Sequence, residues 1–64
     1  MRKGQTVFDF EVGELVEVIS TSHPQLYGEL GVIIDKQDGI HGGSLRLSFN
    51  SGEYITWMPV EDVS

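Results

Sequence analysis

The stretch Gly28-Glu29-Leu30-Gly31-Val32-Ile33-Ile34-Asp35 decides the fold. Gly28 and Gly31 frame a turn in which the backbone can adopt positive φ. The β-branched run behind them, with Val32 and Ile34 alternating against Ile33, reads as a strand. The segments on either side read as further strands packed around it.

Downstream, Gln37 to Gly43 forms a loop, with Asp38-Gly39 as its turn signal and Gly42-Gly43 as a flexible exit. Ser44 to Asn50 alternates cleanly, placing Leu45, Leu47 and Phe49 inward and Ser44, Arg46, Ser48 and Asn50 outward. Asn50-Ser51-Gly52 is a hairpin turn, and Glu53 to Met58 returns as the partner strand. Pro59 stops that strand, Pro59-Val60-Glu61-Asp62 reads as one 3₁₀ turn, and Val63 closes the sheet. Upstream, Ser20 to Tyr27 is a loop broken by His23-Pro24, with Leu26 and Tyr27 returning to the core. Val12-Gly13-Glu14 leads into the strand Leu15 to Ile19, with Val16 and Val18 inward and Glu14 and Glu17 outward. Residues 1–11 read as an edge strand or an arm across the core, with Phe8 and Phe10 on one face. No segment of ten residues keeps a helical period. The pattern predicts an all-β fold in one domain, residues 1–64.

Composition narrows the function. A 64-residue chain buries only about 60% of its unfolded surface, which allows one small core. Cysteine is absent, so there is no disulfide framework, thiolate metal site or thiol nucleophile; this favours a cytoplasmic location. No apolar run is long enough for a signal peptide or membrane span. Ten acids face four basic residues, for a net charge of −6. Arg2 and Lys3 belong to the N-terminal tail, which leaves only Lys36 and Arg46 in the body. Such a surface repels phosphate and suits a basic protein partner.

Strand, long loop, strand, loop, hairpin, 3₁₀ turn, final strand is the order of the SH3-like barrels. Val12-Gly13-Glu14-Leu15-Val16-Glu17-Val18, followed by Gly28-Glu29-Leu30-Gly31-Val32-Ile33, resembles the opening of KOW-type barrels and of the small barrel-forming accessory protein of photosystem I. Thr56-Trp57-Met58-Pro59-Val60-Glu61-Asp62-Val63 resembles the closing segment of true SH3 domains. The resemblance implies a small five-stranded SH3-like barrel with a short 3₁₀ turn before the last strand. It also implies a binding module or an accessory subunit. The tyrosine-rich first loop and tryptophan pair of true SH3 domains are missing, as are the basic loops of KOW barrels.

By the closing-segment match Met58 points into the core and Trp57 lies on the surface; simple alternation instead buries Ile55 and Trp57 together. If Trp57 is exposed, Tyr27, Trp57, Pro24 and Pro59, with His23 beside them, form a protein-binding patch at the loop end. Tyr54 packs across its strand pair. Glu11, Glu14 and Glu17, with Asp9, form an acidic face, either a docking surface or a charged strand face that blocks edge pairing. His23 and His41 lack metal-ligand spacing and read as solvated loop residues, so no metal or cofactor is expected. No nucleophile elbow, phosphate loop or metalloprotease helix is present, and the chain reads as no enzyme. The leading expectation is a protein-protein interaction module, monomeric or homodimeric. The alternatives are a KOW-like nucleic-acid or ribosome-associated module and a phosphate-mimicking inhibitor of a nucleic-acid-binding protein.

Overall fold

The computed structural model describes residues 6–64, so Arg2, Lys3 and the start of the N-terminal arm lie outside the described residues. The fold is all-β. One antiparallel sheet has the order β1-β2-β3-β4, with β1 at Leu15–Glu17, β2 at Leu30–Gln37, β3 at Ser44–Phe49 and β4 at Tyr54–Pro59. Three 3₁₀ turns accompany it, Val7–Asp9, Ile40–Gly42 and Val60–Asp62.

The register explains the two faces. Leu15 stands opposite Val32, Val32 opposite Ser48, and Ser48 opposite Ile55. Side chains alternate along each strand, so the neighbouring row of Val16, Gly31, Ile33, Leu47 and Phe49 faces the other way and is buried. A bulge between Ile33 and Asp35 changes the phase of β2. Asp35 consequently shares Arg46's outer position, while Lys36 turns inward opposite Leu45. The Lys36 amine then donates to the Phe10 carbonyl at 2.8 Å.

The core is Val7, Phe10, Val16, Val18, Ile33, Leu45, Leu47, Phe49, Met58, Val60 and Val63, with Leu26 packed against it. Inward placement of Val16, Val18, Leu45, Leu47 and Phe49 matches the alternation in the sequence. Gly31 departs from the expected turn. It is a strand residue, and an added Cβ would stand 2.8 Å from the Phe49 ring. The positive φ of +83° is at Gly28 alone of that pair. Gly31 is thus small because Phe49 lies over it.

The N-terminal segment also differs from the expected strand. Thr6 and Asp9 form a capping box: the Phe8 N–H donates to Thr6 Oγ1 at 3.2 Å and the Thr6 N–H to Asp9 Oδ2 at 3.1 Å. These bonds stabilise a 3₁₀ turn, in which residues three apart share a face. Val7 and Phe10 are therefore both buried, while Phe8 is 70% exposed. Phe8 and Phe10 do not share a face, although the segment does cover the core.

The third 3₁₀ turn falls at Val60–Asp62, where the sequence predicts a proline-led closure. Beyond it Val63 bridges Val18. Glu17 and Ser64 exchange both backbone bonds at 2.9 Å, and the Ile19 N–H donates to the Asp62 carbonyl at 2.9 Å. The outer edge of β1 is covered in this way by the chain's own last residues.

Candidate functional site

The outer face of the sheet is unusually apolar. Leu15 on β1, Leu30, Val32 and Ile34 on β2, and Ile55 and Trp57 on β4 are all exposed large hydrophobics. Cross-strand register brings most of them together, since Leu15, Val32, Ser48 and Ile55 form a row and Asp35, Arg46 and Trp57 form another, with the exposed Ile34 at the bulge in β2. Together they leave an apolar surface on the order of 500 Å², the size at which a patch on a monomer is often functional. Asp35 and Arg46 stand opposite each other on this face. Glu17 lies at its β1 end and Glu53 beside the start of β4.

Trp57 belongs to this face. It is 42% exposed, whereas Met58, buried at 1%, points the other way. Because β4 is extended, one of any two consecutive side chains must face outward, and the well-filled core takes Met58. Simple alternation with Ile55 and Trp57 buried is therefore not what forms.

The other loop-end residues stand on several elements, with Pro59 two residues beyond Trp57 on the same face of β4. His23 Nε2 lies 2.8 Å from Asp62 Oδ2, tying the Ser20–Tyr27 loop to the third 3₁₀ turn. His23 and Pro24 line an open depression with Ser22, Gln25, Leu26 and Tyr54, and Tyr54 also packs against Phe49 with ring centroids 6.2 Å apart. Pro59 ends β4, five residues along the strand from Tyr54. Tyr27 does not return to the core; it is 58% exposed, and Leu26 alone packs inward.

The acidic residues do not act as one row. The Glu11 N–H donates to Glu14 Oε1 at 3.1 Å, so the Glu14 carboxylate supports the turn into β1. Glu17 faces outward on β1, and Glu11 precedes the strand in that turn. Asp9 serves the capping box. His41 sits with φ +57° in the second 3₁₀ turn. Among the described residues no group of three His, Cys, Asp or Glu side chains is placed to hold a metal ion. No helix among them is long and apolar enough to cross a membrane.

Two features had little sequence signal. The His23–Asp62 pair spans 39 positions, with no local spacing to reveal it. The apolar outer face did leave a trace: Leu30, Val32, Ile33 and Ile34 give β2 large apolar residues on both faces, whereas a half-exposed antiparallel strand ordinarily alternates with polar ones. Compared with protein-family models, curated proteins and solved structures, the chain matches none.

Proposed function

We propose that this chain is a non-enzymatic protein-binding module of SH3-like barrel type, and that it binds through the outer face of its sheet with Trp57 as the aromatic anchor. The observation that carries this reading is the belt Leu15, Leu30, Val32, Ile34, Ile55 and Trp57, which the register assembles on the side away from the core. The barrel reading rests on the return of residues 62–64 to the free edge of β1. Counted as a fifth strand, that return supports the SH3-like reading.

Charge specifies the partner. The belt carries Glu17 and Asp35 against the single cation Arg46, on a chain of net charge −6. Complementary potentials steer and select partners, so the fitting ligand is an apolar peptide segment flanked by Lys or Arg. A nucleic-acid reading is weaker, because Arg46 and Lys36 stand on opposite faces of the sheet and cannot jointly follow a phosphate chain. A catalytic reading is weaker too. Among the described residues, no hydroxyl bonds the second ring nitrogen of His23, as nucleophile activation would need.

The test is a backbone-amide NMR titration with two synthetic peptides of equal apolar sequence, one flanked by lysines and the other by glutamates. Shifts at Leu30, Val32, Ile34, Ile55 and Trp57 with the lysine peptide alone, lost in folded Trp57→Ala, are expected. Shifts confined to residues 22–27, or no response to either peptide, would overturn the assignment of the surface.

A further inference from the structure

The two edges of the sheet are treated differently. The β1 edge is bonded to residues 62–64. The β4 edge is open among the described residues, and the phase of its hydrogen bonding can be deduced. The Val60 N–H donates to the Gly43 carbonyl, one register step beyond the Ser44–Pro59 pair. Antiparallel pairs alternate between bonded and non-bonded, so Met58, Thr56 and Tyr54 are the β4 residues that exchange bonds with β3. Pro59, which has no N–H, fits the non-bonded phase. The backbone groups of Ile55 and Trp57 therefore point away from β3. Among the described residues, the only contact that they receive is a long one of 3.4 Å, from the Thr56 hydroxyl to the Trp57 carbonyl.

We propose that a second copy of this chain pairs with that edge, β4 against β4 in antiparallel register, with Thr56 facing its counterpart on the two-fold axis. In this register Ile55 of each copy lies opposite Trp57 of the other. Each such pair exchanges two bonds, so the dimer gains four and satisfies the outward groups of both residues. An arrangement in which the same patch meets itself is what two-fold symmetry requires. On the outer face each Ile55 side chain then sits beside a Trp57 ring, an aromatic–β-branched pair of the kind that stabilises sheets.

Self-complementarity of the strand selects the second copy as the occupant. Tyr54-Ile55-Thr56-Trp57-Met58-Pro59 contains no charged residue, so two chains of charge −6 meet at an edge where no carboxylates oppose each other. Of the devices that ordinarily prevent strand pairing, the edge has no lysine, inward charge or bulge, and its one proline, Pro59, stands at the end of β4, clear of the Ile55 and Trp57 groups that the dimer uses. The product is one continuous eight-stranded sheet with the two apolar belts side by side. The buried area of a strand-edge contact is small, well under the roughly 800 Å² per partner of a standard interface. The association is accordingly concentration-dependent and favoured by salt, which screens the net repulsion.

Sedimentation equilibrium of the full chain, with no peptide present, tests the dimer separately from the binding surface. The apparent mass should double from 7.1 kDa as concentration rises. Ile55→Pro removes an outward donor without touching a β3 bond, and it should hold the mass at the monomer value. Thr56→Cys should form an intermolecular disulfide under mild oxidation, since non-bonded antiparallel pairs bring Cβ atoms close, while Ser48→Cys should not. A wild type that stays monomeric up to millimolar concentration overturns the proposal. So does a folded Ile55→Pro that still dimerises, or equal cross-linking at positions 56 and 48.

Discussion

At the scale of single residues, four glycines that look alike in the sequence differ in what they tolerate. At Gly43 a Cβ would lie 2.5 Å from the Gln37 carbonyl oxygen and 2.8 Å from Val7, with φ at +95°. At Gly31 it would meet the edge of the Phe49 ring, which can tilt. Gly13 has φ +98° but open space, and Gly39 has open space and an extended φ. Urea denaturation of the alanine variants should therefore rank Gly43→Ala as most damaging, then Gly31→Ala at about 1–3 kcal/mol. Gly13→Ala should cost about 1 kcal/mol from its backbone alone, and Gly39→Ala almost nothing. Gly39→Ala more costly than Gly31→Ala would contradict this geometry. Lys36→Met should lose about 1–2 kcal/mol, because it removes the charged donor that the part-buried Phe10 carbonyl accepts from. Neither the Gly31–Phe49 contact nor the Lys36–Phe10 bond is legible in the sequence. Both depend on tertiary neighbours 18 and 26 positions away, whereas a lone glycine or lysine looks the same in any context.

The elements are most readable where one face is buried and the other polar. Alternation places Leu45, Leu47 and Phe49 inward on β3, and Pro59 marks the third 3₁₀ turn. The N-terminal element misleads because Phe8 and Phe10 have the spacing of a strand, while the competing signal, Thr6 with Asp9 three residues on, is a capping box. Thr6→Ala should accordingly cost about 0.5–1 kcal/mol, with thermal melting as the measurement and the largest loss of amide protection at Phe8. The hairpin between β3 and β4 carries an uncommon strain, since Asn50 and Ser51 both have positive φ ahead of Gly52. The Asn50 side-chain amide donates to the Glu53 carboxylate across this turn, which supports Asn50 there. Asparagine tolerates this region better than serine, so Ser51→Gly should be neutral or stabilising by up to about 1 kcal/mol in the same denaturation assay. A clear loss would argue against the turn described.

At the scale of the whole molecule, the radius of gyration is 10.4 Å, close to the roughly 10.7 Å expected for 64 residues fully collapsed. The six exposed apolar side chains of the belt are thus not the result of a loose core. They are left over because a small sheet has one interior to fill and the inner face fills it. The all-β class and the inward residues of β1 and β3 are readable in the sequence, since both follow from strand periodicity, whereas Val7 and Phe10 reach the core from a 3₁₀ turn. That Leu15, Leu30, Val32, Ile34, Ile55 and Trp57 share one belt is not readable there, because it depends on cross-strand register. Which of Trp57 and Met58 faces outward is also open in the sequence, because the closing-segment match and simple alternation from Ile55 give opposite answers. A core this small leaves little margin, and Leu47→Ala, at about 2–5 kcal/mol, should unfold most of the population at room temperature. Trp57→Ala should stay folded.

Trp57 is the only tryptophan in the chain, so its fluorescence reports directly on the proposed binding face. Acrylamide and iodide quenching of the native protein, diluted until it is monomeric, is the most direct measurement. Emission that both quenchers reach, to an extent between that of a buried ring and that of the urea-unfolded chain, is expected from its 42% exposure. Blue-shifted emission that neither quencher reaches would put Trp57 in the core and remove the binding surface proposed around it.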